Sequence, residues 1–286
     1  MEPHLPNPTC DFSLLYLVNK ILPLCSNYDA VQDFMAMHLH FEFGLVSHAL
    51  CDAMRALLKE YMLLVTQLDT EFLKSDLTLQ KIWFYIQSSL RIMENLRRLT
   101  QEAGNRKGGA LLNVIYRLMT NSSDKSIRDL FEFMLEKSSQ PYFSMLQKWI
   151  FQGVLKDPFS EFIVRENKVL QKENIGRDFN DKYWDEKFTY REEMVPSFLA
   201  KYKEKILHAG KYLNVIRECG IDVQYPFPQH ENLFTGKFLA TKEPEEEAIM
   251  EVDTGAPARQ FDFFEPIERA YEWSSKLLLE YLLGEC

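Results

Sequence analysis

The sequence predicts an all-α protein of stacked helical bundles, with at most a small β-hairpin near residues 162–190. Three observations favour this fold class. Apolar residues recur at three- and four-residue steps over most of the chain. Proline, glycine and polar clusters divide these periodic segments from one another. The alternation typical of strands is confined to two short runs, around Val164 and around Tyr190.

Long helices are predicted in the first third of the chain. The first helix begins after Asp11 and is expected to end or kink at Pro23, with a second short helix over 28–41. Residues 41–72 and 76–103 then form two long helices, each with one apolar stripe. We expect these two long helices to pair in antiparallel fashion at the centre of a bundle.

Shorter helices are predicted further along the chain. Helices over 125–138 and 141–152 are expected to be separate, because Pro141 suits the first turn of a new helix. Another helix is predicted to start at Pro196 and to be interrupted at Gly210.

Composition divides the chain into five predicted parts. These are a disordered lead (1–10), an N-terminal helical bundle (11–139), a second helical subdomain (140–229), an acidic disordered loop (230–260) and a C-terminal helix (261–286). The loop carries seven acidic and three basic residues, a net charge of −4, and almost no apolar periodicity. The last helix is still apolar at its end, so we expect the natural chain to continue and the sequence to be a fragment.

Charge and composition argue against several classes of protein. A net charge of −9 disfavours nucleic-acid partners and anionic membranes, because both attract Lys and Arg. The five cysteines are scattered and are interpreted as free thiols in a reducing compartment. Without a secretory signal or a long apolar window, the chain is expected to be soluble and cytosolic.

Motifs for catalysis or ligand binding are missing from the sequence. The run GNRKGG lacks the spacing of a phosphate-binding loop, and no G-x-S-x-G turn occurs. His38 and His40 are two residues apart, so on a helix they point to opposite sides and do not make a metal site. We therefore expect no enzyme activity, no metal and no cofactor.

Residues 141–219 are the most distinctive part of the chain. Aromatic residues, turns and helical periodicity alternate closely here, and the aromatics admit two interpretations. Most are expected in the core, where aromatic side chains dominate burial, and the rest are candidates for anchors on a binding face.

The sequence of this stretch resembles that of a known family. PYFSMLQKWIFQGVLKDPFSEFIV, NDKYWDEKFTY, VPSFL and ILHAGKYLNVIRECG are similar to the N-terminal conserved domain of the gamma-tubulin complex components, which include the yeast spindle pole body components. Within the family, NDKYWD and KYLNVIRECG are most similar to the component-two branch. The resemblance covers about residues 12–224 and 262–284. The family-motif residues expected to be structural are Tyr142, Trp149, Asp157, Pro158, Tyr183, Trp184, Pro196, Gly210 and Asn214.

The resemblance implies a scaffold without catalysis. In this family the N-terminal domain makes lateral contacts with component three and other paralogous components, which arranges gamma-tubulin for microtubule nucleation. Gamma-tubulin itself is bound by a C-terminal domain that this sequence lacks. The implied location is the cytoplasm and cytoskeleton, at the centrosome or another microtubule-organising centre.

Partner contacts are expected on the long helices upstream of residues 141–219. The candidate interaction residues are Phe43, Arg55, Lys59 and Tyr61. The alternative hypothesis is an adaptor, in which the N-terminal helices or the acidic loop 230–260 bind a small regulatory or centrosomal helical protein.

Overall fold

The computed structural model describes residues 12–167, 183, 186–221 and 264–284. These residues form seven α-helices and one two-stranded antiparallel sheet, which confirms the predicted all-α class. The helices are α1 (Phe12–His38), α2 (Gly44–Leu73), α3 (Leu79–Ala103), α4 (Gly108–Thr120), α5 (Lys125–Gln152), α6 (Lys203–Glu218) and α7 (Phe264–Leu283). The predicted lead 1–10 and acidic loop 230–260 lie outside the described residues.

Helix α1 runs without a break through Pro23, so the predicted helix end at that residue is wrong. Pro23 is exposed, and the hydrogen bond that it removes costs about 3 kcal/mol. Packing of α1 along α3 outweighs this cost. Arg97 of α3 donates to the Asn27 Oδ1 atom at 2.9 Å, and a ring nitrogen of His38 lies 3.0 Å from the Gly104 carbonyl. The two helices therefore run parallel, joined along their length.

The predicted pairing of α2 with α3 is also wrong. Helix α3 packs mainly along α1, and α2 packs mainly along α5, while the direct contact between α2 and α3 is slight. An apolar stripe specifies which face of a helix is buried but not which helix covers it. The next helix in the sequence is therefore not necessarily the helix that packs on this stripe.

Helix α5 is continuous across Pro141, although a new helix was predicted to begin there. The predicted domain boundary between residues 139 and 140 lies inside this helix. Gly153 ends α5 in the left-handed conformation (φ 61°), where glycine is favoured. Helix α5 therefore links the first half of the fold to the second.

The predicted hairpin is present as strands β1 (Val164–Glu166) and β2 (Phe188–Tyr190), with Val164 opposite Tyr190. A short 3₁₀ helix, Ser197–Tyr202, then leads into α6. Gly210 does not interrupt α6 but lies within it. One continuous apolar core draws residues from all seven described helices and from both strands. Among the described residues, the search for a helix that could span a membrane found none.

Candidate interaction surface

Trp149 lies at the centre of the contact between α5 and α6. Its side chain is fully buried, and its Nε1 atom donates to the carbonyl of Ile206 at 2.8 Å. The indole lies 4.9 Å from the Phe188 ring of β2, measured between centroids. A Cβ atom on Gly210 would overlap the indole, so glycine is needed for α6 to approach this closely.

Tyr142, two turns earlier on α5, holds the segment before α6. The side chain is fully buried and its hydroxyl donates to the Met194 carbonyl at 3.1 Å. Its ring lies 5.4 Å from that of Phe162, and burial raises the Tyr142 pKa well above its usual value of 10.0. Pro196 is buried just beyond Met194, at the start of the 3₁₀ helix.

The motif DPFSEF forms a tight turn closed by Asp157. Its carboxylate accepts from the backbone N–H groups of Glu161 at 2.9 Å and Phe162 at 3.1 Å. Arg191, next to β2, lies 3.4 Å from the same carboxylate. Pro158 is exposed on the outside of the turn. The turn is thus fixed from within by one side chain.

Glu161 connects this turn to the first residues of α2, and sequence reasoning missed it. Its buried carboxylate accepts from the backbone N–H groups of Leu45 at 2.7 Å and Val46 at 3.1 Å. Burial raises the Glu161 pKa above its ordinary 4.5, although these hydrogen bonds act in the opposite direction. A Cβ atom on Gly44 would overlap the carboxylate. No local signal could identify this cap, because it comes from 116 residues further along the chain.

Asn214 and Tyr183 surround a buried lysine near the end of α6. The Lys187 Nζ atom donates to the Asn214 Oδ1 atom at 3.1 Å and forms an ion pair with Glu218. It also lies 5.6 Å from the centre of the buried Tyr183 ring. Asn214 donates in turn to the Gly153 carbonyl at 3.4 Å. These contacts join the end of α5, β2 and α6.

Eight of the nine family-motif residues can therefore be placed, and Trp184 lies outside the described residues. Seven of the eight are at least partly buried in one continuous region between α5, the hairpin and α6, and Pro158 marks its edge. We call this region, from Tyr142 to Asn214, the aromatic hub.

The four candidate interaction residues separate into two pairs. Phe43 and Tyr61 face inward: the Phe43 ring is 4.2 Å from that of His38, and the Tyr61 ring is 5.7 Å from that of Tyr28. Arg55 and Lys59 are exposed one turn apart on α2. Arg55 also pairs with Asp52 on the same helix. Arg55 and Lys59 are thus the exposed pair, whereas Phe43 and Tyr61 are partly buried.

The exposed side of α2 continues beyond Lys59 with apolar residues that sequence reasoning missed. Exposure is 46% for Met62, 58% for Leu63 and 76% for Leu73. Arg55, Lys59, Met62 and Leu63 follow three- and four-residue steps, and Leu73 lies on the same side of α2 after the exposed polar residues Thr66 and Thr70. We call this side, defined by Arg55, Lys59, Met62, Leu63 and Leu73, the α2 face.

The α2 face lies on a part of the molecule with little core. Leu58 is the last buried residue of α2, and Ile86 is the first buried residue of α3. The segments between these two residues contain no buried residue, and Tyr61 and Trp83 lie partly buried at the edge of the core.

The described residues contain no group of three or more His, Cys, Asp or Glu side chains able to hold a metal ion. Cys51 is fully buried, and burial raises its pKa to about 11, so the thiol is a poor nucleophile.

Comparison with known proteins identifies the family. The model of the gamma-tubulin complex component N-terminal domain matches residues 1–285. The chain belongs to the gamma-tubulin complex component family. The family membership predicted from the sequence of residues 141–219 is confirmed.

Relatives in the gamma-tubulin complex component family span animals, plants and fungi. Gamma-tubulin complex component 2 of Mus musculus is 40% identical over 98% of this chain, and that of Arabidopsis thaliana is 37% identical over 79%. Gamma-tubulin complex component 3 of Homo sapiens is 27% identical over 84%. The chain spans only 29%, 34% and 26% of the length of these three relatives, respectively.

Proposed function

We propose that this chain is a scaffold subunit of a gamma-tubulin complex, which uses lateral contacts with neighbouring components to arrange gamma-tubulin for microtubule nucleation. The names of its relatives support this role: they are gamma-tubulin complex components and, in Schizosaccharomyces pombe, spindle pole body component alp4. The proposed location is the cytoplasm and cytoskeleton at a microtubule-organising centre. Contact with gamma-tubulin itself is assigned to the part of the relatives that this chain does not span.

The α2 face is the observation that carries the lateral contact. It combines exposed apolar side chains with the cations Arg55 and Lys59, the composition of an interface core with a charged rim. We propose component three or another paralogue as the partner. The aromatic hub takes no direct part, because its side chains are occupied within the fold.

Mixing this chain with the matching domain of component three tests the proposal. Light scattering at concentrations on the order of 10 µM should give the mass of a heteromer, since a micromolar interface is largely occupied there. Leu63→Asp should weaken association about tenfold or more, as expected for a charge in an apolar interface. Leu279→Asp on α7 is the matched control, because Leu279 has a similar exposure of 56%. Persistent monomers, or equal effects of the two substitutions, would contradict the lateral role.

An adaptor function is the second proposal, and a groove between α1 and α3 favours it. The groove is open to solvent and is lined from both helices by aromatic and cationic side chains. It fits the hypothesis that the N-terminal helices bind a small helical protein. Deletion of residues 230–260 should leave such binding unchanged if the groove, rather than the acidic segment, is responsible.

A further inference from the structure

The groove between the parallel helices α1 and α3 has a volume of about 990 Å³. Tyr16 and Pro23 line it from α1, and Trp83 and Leu90 line it from α3. These four residues give the groove an apolar base. Tyr16 and Pro23 are exposed, and Trp83 and Leu90 are only half-buried, so this base remains accessible to a ligand.

Cationic side chains border the apolar base. Lys20 lies 5.5 Å from the centre of the Tyr16 ring, and Arg97 donates to the side-chain oxygen of Asn27 at 2.9 Å. Both cations therefore contact neutral groups. Arg98, the third cation, pairs with Glu102 at 3.1 Å. With Glu94 as the acidic side chain of the lining, the groove is cationic within a chain of net charge −9.

The walls of the groove favour one backbone conformation for a ligand. Both walls are α-helices, whose N–H and C=O groups are bonded within each helix apart from the one bond that Pro23 removes, so the groove presents no strand edge. A ligand in this groove must satisfy its own backbone groups. A helix does so, and it can place apolar side chains at three- and four-residue steps onto the groove.

We propose that this groove binds an amphipathic helix whose border is rich in Asp and Glu. Apolar side chains of the ligand pack on Trp83, Leu90 and Pro23, and its carboxylates pair with Lys20 and Arg97. The groove runs from Tyr16 to Asn27 along α1 and from Trp83 to Gln101 along α3, which suits a helix of about 11 to 18 residues. This inference rests on the second proposed function and is independent of the α2 face.

Selection from a displayed library of 18-residue peptides of random sequence tests the proposal, with the whole chain as target. The recovered peptides should contain more Asp and Glu than Lys and Arg, with apolar residues at helical spacing. Recovery of basic or neutral sequences, or of none that bind, would overturn the proposal.

Charge reversal then locates the binding of a selected peptide. Lys20→Glu should raise its Kd roughly fivefold at low salt, because an attractive exposed charge becomes repulsive. Lys201→Glu is the matched control, since it makes the same charge change at an exposed residue outside the lining of the groove, and it should leave the Kd unchanged. Equal effects of both substitutions would place the peptide elsewhere.

A second measurement does not depend on charge. Binding of the peptide should shift the tryptophan emission of the wild-type chain, and the shift should disappear in Trp83→Phe. A shift that persists in Trp83→Phe would show that the peptide lies outside the groove. Lateral assembly through the α2 face should be unaffected by Lys20→Glu, so failure of one proposal can be distinguished from failure of the other.

Discussion

The aromatic hub and the α2 face differ in how much of their side chains the fold uses. In the hub, Trp149 is fully buried and its Nε1 atom has a backbone acceptor. On the α2 face, Leu63 is 58% exposed and lies past the last buried residue of its helix. The hub contains the most recognisable part of the sequence, yet its buried side chains already have their packing and hydrogen-bond partners within the fold. The most recognisable part of this sequence therefore contains residues that maintain the fold, whereas the accessible apolar surface of α2 is where we propose that a partner binds.

The largest effect should come from truncating Trp149. Trp149→Ala leaves a cavity and removes a buried hydrogen bond, so the free energy of unfolding should fall by about 3–5 kcal/mol. Trp83→Ala on α3 is the matched control. Its free energy of unfolding should fall by less than half as much, because Trp83 is only half-buried. Urea unfolding followed by circular dichroism measures both. Similar losses of unfolding free energy in the two variants would contradict the claim that the hub contributes more to stability than the half-buried start of α3.

Gly210→Ala should have the next largest effect. The added methyl group overlaps the Trp149 indole, and overpacking of this kind costs about 1–3 kcal/mol even though alanine favours the helix. Combining Gly210→Ala with Trp149→Phe should cost less than the sum of the two single changes, because the smaller ring makes room for the methyl group. Additive losses would show that the two residues do not oppose each other.

Glu161→Gln should destabilise the fold by about 1–3 kcal/mol, because both oxygens of the carboxyl group accept from N–H groups of α2, whereas the NH₂ group of an amide cannot accept. The loss should also depend on pH. Since burial raises the Glu161 pKa above 4.5, the folded chain holds this proton more tightly than the unfolded chain does. That contribution is complete below pH 4.5 and is lost as the pH rises through the raised value. The stability difference between wild type and variant should therefore shrink across this window, and a difference that grows would contradict the assignment.

The smallest effect on stability should come from the α2 face. Leu63→Asp should change the free energy of unfolding by less than about 0.5 kcal/mol, as exposed substitutions usually do. Thermal unfolding of the variant alone measures this. A loss of several kcal/mol would show that Leu63 is part of the core and would remove the α2 face as a free surface.

Local sequence patterns predicted the helices better than their partners. The apolar stripe predicted for residues 41–72 is buried in the core at Leu50 and Met54, since helical periodicity is a local property. The choice of α3 as the partner of α2 failed, because that depends on contacts distant in sequence. Pro23 was predicted to end or kink a helix and Pro141 to begin one, yet both lie inside continuous helices, since tertiary packing outweighs the loss of one hydrogen bond.

The candidate surface was predictable only in part. Arg55 and Lys59 are exposed as expected, but Phe43 and Tyr61 face inward. The sequence could not show this, because the apolar side of a helix has the same residue pattern whether it packs against a core or against a partner. The exposed Met62 and Leu63 could be recognised only once the end of the core at Leu58 was known. Glu161 depends on a contact across more than a hundred residues, which no local pattern records.

The central claim is that the α2 face binds a neighbouring component while the hub maintains the fold. Light scattering of this chain mixed with the matching domain of component three tests it most directly, with Leu63→Asp and Leu279→Asp measured alongside. The account predicts a heteromer for wild type and Leu279→Asp, and separate monomers for a Leu63→Asp variant whose thermal unfolding is unchanged. A heteromer that forms equally well with Leu63→Asp would contradict it.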